Sequence, residues 1–516
     1  MPIDEVNVIV KDHRKVKLRF ALAYPNIYPV GISNLGIRLL YELLNRIEEV
    51  VCERFFFSGY GVQPKSLESG LPMSAFDVVG FSLQHEMDYL RMLDMLSTSD
   101  IPLKSDARNR PIVIAGGPSA SSNPIPISPF VDIFVIGEAE PILPQLLDLL
   151  MSGDAKTSTC SIPGLYKPGS TTKRVYAEDL NNAYHPVRQV HPTSGEWLST
   201  SFLLEVSRGC NKGCRFCLEC FLYSPRRERS LNTIQKILDD GIRLSKVNKI
   251  SCISSALFDH SELKDILSSL KNRGVPFSTP SVRVSDVDEE LMRLIASGGQ
   301  RSITIAPETP SERLRRVVNK PFDNDQLFSM LLKAHESGIR SLKLYFMLGI
   351  PGETDSDIGE LEQFISRTIS SGFTPSYIHI SINPLIPKSN TPFQWLPMIS
   401  KEDYDRRVSL FRSIARRHGI RRVESLDYRW GAIQAYLSTA GLKASEILLS
   451  LLEDLAIGGT GDLGTWRRVL KRYGKRPETL YQPLKLDDPL PWEEIKGAVP
   501  ISILRHEFLR ATGDTK

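Results

Sequence analysis

The stretch that decides the fold is Phe202-Leu203-Leu204-Glu205-Val206-Ser207-Arg208-Gly209-Cys210-Asn211-Lys212-Gly213-Cys214-Arg215-Phe216-Cys217. Its opening residues are an apolar strand-forming run, and three cysteines follow at C-x3-C-x2-C spacing. Cys220 comes three residues later, so four of the seven cysteines fall within eleven residues. Three thiolates this close suit three irons of a cubane 4Fe–4S cluster and leave the fourth iron open. Gly209 and Gly213 let the loop fold tightly, with backbone N–H groups facing the sulfides. Arg208, Lys212 and Arg215 would offset the charge of a thiolate-bound cluster. The competing reading is zinc held by Cys210, Cys214, Cys217 and Cys220. Zinc ribbons pair two short CxxC knuckles across a longer gap, which this spacing lacks. Cys220 itself reads as a bystander thiol, a fourth ligand or a reactive thiol.

Downstream of the cysteines, strand and helix patterns alternate. Strands are expected near Lys249–Leu257, Val275–Arg283, Ser302–Ala306, Ser341–Leu348 and Tyr377–Leu385. The segments between them carry apolar residues at helical spacing: Ile234, Ile237, Leu238 and Ile242; Leu263, Ile266, Leu267 and Leu270; Leu361, Phe364, Ile365 and Ile369. Gly274, Gly298 and Gly338 stop three of these helices. Six consecutive βα units fit an open barrel, whose chemistry belongs at the carboxyl ends of its strands. Upstream, strand runs at Lys17–Ala23, Val50–Phe57, Phe76–Leu83, Ile112–Ala115 and Ile133–Ile136 alternate with helical faces such as Leu39, Leu40, Leu43 and Leu44. That alternation predicts a parallel, doubly wound sheet. Glycine turns follow its strands, but none is a GxGxxG fingerprint.

The expected organisation is α/β throughout. Residues 1–152 form a doubly wound domain and 153–200 a linker with a short hairpin at Leu165–Tyr176. The open (β/α)6 barrel spans 201–400, and a mostly helical extension spans 401–516. The 516 residues carry 64 Lys+Arg against 60 Asp+Glu, a net charge of +4, which is too small to suggest a nucleic-acid coat or a membrane-surface protein and leaves only a local basic patch open. No run of about 18 apolar residues is present and the first residues lack a signal pattern, so a cytoplasmic protein is expected. The basic run Pro225-Arg226-Arg227-Glu228-Arg229 reads as a solvated approach to a helix, with a phosphate or RNA backbone as the alternative ligand.

The C-x3-C-Φ-C signature, with aromatic Phe216 after the first strand of a βα barrel, resembles the radical SAM superfamily. The resemblance implies that Cys210, Cys214 and Cys217 hold a 4Fe–4S cluster and that S-adenosylmethionine chelates the open iron. One electron then splits the sulfonium, giving methionine and a 5′-deoxyadenosyl radical that abstracts hydrogen from the substrate. Other segments are similar to that family. Glu308-Thr309-Pro310-Ser311-Glu312-Arg313 resembles its E-x-x-S-x-R segment, which places Glu308, Ser311 and Arg313 near the SAM ribose, amino group and carboxylate. Pro280-Ser281-Val282-Arg283-Val284-Ser285 resembles the third-strand segment, with Arg283 facing SAM or substrate; a buried structural ion pair is the alternative reading. Gly349-Ile350-Pro351-Gly352-Glu353-Thr354 resembles the GxPGET segment, with Gly349 and Gly352 letting the backbone lie against the adenine. Ile382–Trp395 would shape the barrel floor or the substrate entrance. The GGE turn that binds the SAM amino group in many relatives is absent; Ser254-Ser255-Ala256-Leu257-Phe258-Asp259-His260 stands there instead.

The first 152 residues resemble the cobalamin-binding-type domain that precedes some radical SAM barrels, through Tyr24–Gly36 and Ala115-Gly116-Gly117-Pro118. Cobalamin is therefore a cofactor to test, although the D-x-H-x-x-G lower-ligand motif is absent. His85, beside a strand end, reads as structural. The implied activity is radical SAM catalysis. Methyl transfer is favoured if cobalamin binds and rearrangement or sulfur insertion if it does not; an RNA-modifying enzyme without cobalamin stays an open alternative. A ferredoxin or flavodoxin would donate the electron. The alternative is a non-catalytic electron-transfer or scaffold protein whose cluster takes Cys220 as fourth ligand.

Overall fold

The computed structural model describes residues 3–153, 162–284 and 287–513; Cys160 and the start of the expected linker lie outside them. The five upstream apolar runs form parallel strands β1 (Leu18–Tyr24), β2 (Val50–Phe56), β3 (Val78–Ser82), β4 (Ile112–Gly116) and β5 (Ile133–Val135). Their order is β2-β1-β3-β4-β5, and β6 (Leu165–Tyr166) adds an antiparallel edge. The chain reverses direction across the sheet between β1 and β3, the switch point at which doubly wound sheets open a crevice. The expected hairpin at 165–176 does not form. Thr172–Lys173 pairs instead with Ile495–Lys496, so the linker is stitched to the sheet and to the C-terminal segment.

Helices α1 (Leu35–Asn45), α2 (Asp88–Thr98) and α3 (Leu143–Ser152) join these strands. Asn34 caps α1 by accepting the Ile37 N–H. Glycines at the strand ends allow close loop packing. Gly117 has φ +95°, and a Cβ there would meet the Leu83 carbonyl at 2.6 Å. Gly137 has φ +115°, with the Val175 carbonyl at 2.0 Å from the same point.

The second sheet system is built from β7 (Phe202–Glu205), β8 (Ile250–Ile253), β9 (Phe277–Ser278), β10 (Ser302–Glu308), β11 (Ser341–Leu348), β12 (Ile378–Pro384) and β13 (Arg422–Ser425). All neighbours are parallel: β7-β8-β9 form one group and β10-β11-β12-β13 another. Among the described residues one parallel bridge, Val282 to Ile305, joins the groups, giving an open wall. Two expectations change here. The third strand shrinks to Phe277–Ser278, and a seventh strand, β13, comes from the segment expected to be a helical extension.

Helices α4 (Leu231–Ser245), α5 (Leu263–Asn272), α6 (Glu289–Ser297), α7 (Asn324–Glu336), α8 (Leu361–Ser370) and α9 (Lys401–Arg417) cover the wall. Their apolar faces are those expected: Leu263, Ile266, Leu267 and Leu270 are buried, as are Leu361, Phe364 and Ile365. On β11, Leu342, Leu344, Phe346 and Leu348 are buried and alternate with half-buried residues, the period of a pleated strand. Gly274 and Gly338 end helices in left-handed conformation; after α6 that role falls to Gly299, not Gly298.

Helices α10 (Tyr428–Thr439), α11 (Lys443–Ala456) and α12 (Leu463–Arg472) share one apolar core with β3, β4 and α2. The C-terminal region thus covers a face of the first sheet. Helix α13 (Ile501–Thr512) packs beside the cysteine loop through Leu504 and Phe508. No helix of the described residues is long and apolar enough to cross a membrane.

Candidate active site: a chamber between the two sheets

The carboxyl ends of both sheets open onto one chamber of about 600 Å³. The first sheet contributes Ser82, Gly117, Gly137, Glu138 and Glu140 to its wall. The second contributes Arg208, the four clustered cysteines, Ser254, Ser255, Arg283, Glu308 and Lys320. A narrow apolar slot of about 90 Å³ leaves the chamber beneath Gly80, Gly116 and Gly137, between the sheet and helices α1 and α3. Leu40, Ser82 and Gly117 border both spaces, so slot and chamber adjoin.

The cysteine loop is pinned from several sides. Gly209 sits at φ +81°, where a Cβ would lie 2.2 Å from the Tyr223 carbonyl. Asn319 Nδ2 donates to the Gly213 carbonyl at 2.9 Å. Arg215 is buried: its N–H donates to the Val318 carbonyl, and its guanidinium reaches Glu507 of α13 at 2.9 Å. The N–H groups of Cys217 and Cys220 are taken by the carbonyls of Cys214 and Cys217, so those donors hold the loop rather than facing a sulfide. The three flanking cations are paired as well: Lys212 with Asp259 at 2.8 Å, Arg215 with Glu507, and Arg208 with three carboxylates. They balance those acids first, which corrects the reading of them as counter-charges for a cluster.

The thiols of Cys210, Cys214 and Cys217 all lie within hydrogen-bonding reach of Cys220. That contact, foremost, draws Cys210 down to about 6 and Cys214 to about 7, while Cys220 is pushed up by donating to its neighbours. Among the described residues, no three His, Cys, Asp or Glu side chains are arranged to hold a single metal ion. The thiols instead share one wall of an open space, which is what a polynuclear cluster asks of its ligands.

Glu308 closes β10 with φ +68°, a left-handed conformation that a non-glycine residue adopts at a cost of about 1–2 kcal/mol. The strain turns its side chain into the chamber, where Lys320 Nζ donates to it at 2.7 Å. Phe216 and Arg283 also line the chamber. Ser311, Arg313, Gly349 and Gly352 do not line it. Ser311 Oγ donates to Asp357 at 2.9 Å, and Arg313 donates to Asp357 at 2.7 Å and to the Gly352 carbonyl at 2.8 Å. Gly349 donates its N–H to Glu353. These residues lock the loop after β10 to the loop after β11. The Pro392–Trp395 turn packs on α13 and the cysteine loop, with Trp395 and Phe508 edge to face at 5.6 Å. It belongs to the loop's support, not to a barrel floor.

Arg227 and Arg229 of the basic run are buried and Arg226 and Glu228 half-buried, so its cations are not solvated. Arg227–Glu228 pairs with Ser207–Arg208 as a two-residue ladder. Arg227 reaches Glu138 at 2.7 Å, Arg208 reaches Glu138 at 2.7 Å and Glu140 at 2.9 Å, and Arg174 reaches Glu138 at 3.3 Å. Arg229 and Arg208 both hold Glu205. Burial alone would raise the Glu205 carboxyl, but Arg208 and Arg229 outweigh it and hold it at about 2. Glu138 is likewise lowered against its burial by Arg227 and Arg208. Sequence reading singled out neither Glu138, Glu140 nor Glu219; the only signal was their place after a strand or a cysteine. His85 accepts the Met87 N–H and contacts the Gln434 amide, outside the chamber lining. His260 accepts the Glu262 N–H at the start of α5.

The family described as the radical SAM superfamily matches residues 204–365, and that described as radical SAM proteins, N-terminal, matches residues 36–176. An uncharacterised protein of Methanocaldococcus jannaschii is 30% identical over 471 residues, 87% of this chain and 98% of that protein. The chain belongs to the radical SAM superfamily. Among solved structures, the radical SAM methyltransferase TsrM of Kitasatospora setae, bound to cobalamin and a [4Fe-4S] cluster, superposes with TM-score 0.52. That match has 16% identity and covers 73% of each chain. OxsB, a cobalamin-dependent SAM radical enzyme bound to aqua-cobalamin and SAM, superposes with TM-score 0.51 and 14% identity over 96% of this chain and 78% of its own.

Radical SAM enzymes use a 4Fe–4S cluster and SAM, and the donors present here fit both groups. The cluster's need is three thiolates on one wall, and Cys210, Cys214 and Cys217 stand there. SAM needs acceptors for its ammonium and hydroxyls and a cation for its carboxylate; Glu308, Ser254, Ser255 and Arg283 face the same space.

Proposed function

We propose that this protein is a cobalamin-dependent radical SAM enzyme that transfers a methyl group to an unactivated carbon. The observation that carries the reading is one chamber lined both by the cysteine loop and by the glycine-tipped strand ends of the doubly wound sheet. When bound, the cluster and SAM supply a 5′-deoxyadenosyl radical that takes hydrogen from the substrate, and cobalamin supplies a methyl carrier. Cys210, Cys214 and Cys217 would hold the cluster, and Phe216 lines the same chamber. Glu308 and Arg283 orient SAM. Cobalamin would sit over the strand ends of the first sheet, where Ser82, Gly117 and Gly137 line the chamber. The Ser311–Arg313–Asp357 lock fixes the loops that flank SAM without touching it. The Glu138–Arg208 network holds the first sheet over the cysteine loop and so sets the distance between the two cofactors.

A specific observation favours a second reading. Cys220 lies against all three cysteine thiols, where a four-thiolate cluster would place its last ligand. The test is anaerobic reconstitution of wild type, Cys214→Ala and Cys220→Ala. Each is followed by iron and sulfide analysis, EPR with and without SAM, and assay for 5′-deoxyadenosine. Radical SAM chemistry predicts product from wild type and Cys220→Ala, none from Cys214→Ala, and an EPR signal that SAM alters. A full cluster that ignores SAM and is lost in Cys220→Ala would establish the four-thiolate protein instead. Cobalamin is tested by its retention on the purified protein and by methyl transfer from SAM.

A further inference from the structure

The cysteines line the chamber, but the loop that carries them is held by two helices that do not: the short helix Glu312–Val317 and α13. Arg215, between Cys214 and Phe216, joins all three parts. Its guanidinium donates to the Arg316 and Val317 carbonyls at 3.1 and 2.6 Å and pairs with Glu507 of α13 at 2.8 Å. Val317, Phe508 and Ala511 pack on one apolar cluster with Leu314 and Val318, so the two helices share a core. Cys214 is buried, yet the residue after it touches two helices whose outer sides stand in solvent.

That outer side is cationic. Arg316 is exposed and forms no ion pair among the described residues. Arg510 leaves 55% of its side chain exposed against 19% for its partner Glu507, and Arg313 leaves 51% exposed against 5% for its partner Asp357. In each pair the acid is the covered member, so the field that reaches solvent is the guanidinium's. The acids on the two helices are occupied: Glu312 accepts the Asn324 N–H at 2.7 Å, and Glu507 is shared by Arg215 and Arg510. The whole chain is nearly balanced, with 64 Lys+Arg against 60 Asp+Glu, so this is a local excess. Its arginines lie outside the chamber and cannot select what reacts there. What has to reach the cysteines from outside without entering the chamber is the electron.

We infer that the outer side of Glu312–Val317 and α13 docks an acidic one-electron carrier protein, with Arg316 and Arg510 meeting its carboxylates and Arg215 leading inward to Cys214. The inference rests on the proposed function, which consumes one electron that the chain itself does not supply. The carrier is oxidised by one electron and the cluster reduced by one. With SAM bound, that electron enters the sulfonium, whose C–S bond breaks to methionine and the 5′-deoxyadenosyl radical. A dock held by charge speeds encounter and weakens as salt rises.

The test uses the full chain, anaerobically reconstituted, with Arg316→Glu, Arg510→Gln and the two combined. Arg316→Lys, which keeps the charge, is the control. Iron content and melting temperature confirm that each protein is folded and loaded. Two acidic carriers, a flavodoxin and a ferredoxin, are the probes. Their equilibrium binding is measured in the oxidised state at low and high salt. The bleaching of the cluster by each reduced carrier is followed without SAM, and dithionite, which needs no dock, reduces the cluster in parallel. At least one carrier should bind wild type, more weakly at high salt. The combined variant should lose about tenfold in affinity and in the rate of cluster reduction, while Arg316→Lys keeps both and dithionite reduces every protein to the same extent. Unchanged carrier binding and reduction in the folded, loaded combined variant overturns the inference, as does failure of both carriers to bind wild type. Loss of affinity for a single-stranded RNA oligonucleotide but not for the carriers overturns it in favour of a nucleic-acid surface. Absence of 5′-deoxyadenosine from wild type reduced with dithionite would instead overturn the proposed function.

Discussion

At the scale of single residues, the most informative side chain is Glu308. Its left-handed backbone is a local cost that only the surrounding structure sustains, and such strain gathers where a side chain must be aimed. Replacing it separates strain from chemistry. Glu308→Ala keeps the strained conformation and removes the acid, whereas Glu308→Gly removes both. Glu308→Gly should therefore be more stable than Glu308→Ala by about 1 kcal/mol, the reverse of the usual order, while both lose 5′-deoxyadenosine formation. Chemical denaturation of the two variants decides it; equal stabilities would mean the backbone relaxes at that site. The residue types that mark the site were readable in the chain because thiolates have few uses at that spacing. The partners of Glu308 and Ser311 were not, because a motif says which residues recur together and not where each side chain turns.

At the scale of elements, the cysteine loop depends on two glycines with unequal demands. Both have positive φ, but Gly209 sits against the Tyr223 and Pro225 carbonyls at 2.2 and 2.9 Å from a hypothetical Cβ. Gly213 meets only the Asn319 side chain, at 3.2 Å. Backbone cannot yield as a side chain does. Gly209→Ala is expected to abolish cluster incorporation. Gly213→Ala should cost about 1–2 kcal/mol and keep most of the iron. Iron and sulfide content after reconstitution distinguishes them, and equal losses would refute the asymmetry. The strands and helices around the loop were legible because burial imposes periods of two and 3.6 on the chain. The exceptions have causes. Thr172–Lys173 takes a distant strand as partner, and β13 owes its place to the free edge of β12 rather than to any strong pattern of its own.

At the scale of the whole molecule, the joint between the sheets is electrostatic. Glu138 of the first sheet lies among Arg174, Arg208 and Arg227, all buried or nearly so. Removing it leaves three guanidiniums without their shared acceptor. Glu138→Ala should lose about 3–5 kcal/mol, seen as a lower melting temperature, with Glu138→Gln between it and wild type. The same network fixes an acid limit. Glu205 and Glu86 are held near 2, against 4.5 for an ordinary Glu; burial opposes this, but Arg208 and Arg229, and Lys388, outweigh it. A carboxyl lowered in the folded state contributes its full stability above its unfolded value and loses it as protons bind below that value. Stability should therefore fall as pH drops from about 4.5 towards 2, and denaturant midpoints in that window should decline less steeply in Glu205→Gln. An unchanged slope in the variant would show that other groups set the limit.

The sequence by itself determined the alternation of strands and helices, the two sheet systems and the cysteine triad, because periodic burial and thiolate chemistry are local properties of the chain. The tertiary structure decided which charges meet. Glu138 and Arg208 are 70 residues apart, and Arg215 and Glu507 are 292 apart. No local period encodes such a meeting; it follows from how the first sheet, the open barrel and the C-terminal helices pack. For the same reason, only the folded chain shows that Glu219 and Arg283 form no ion pair among the described residues: an unmatched charge is a property of everything that surrounds it.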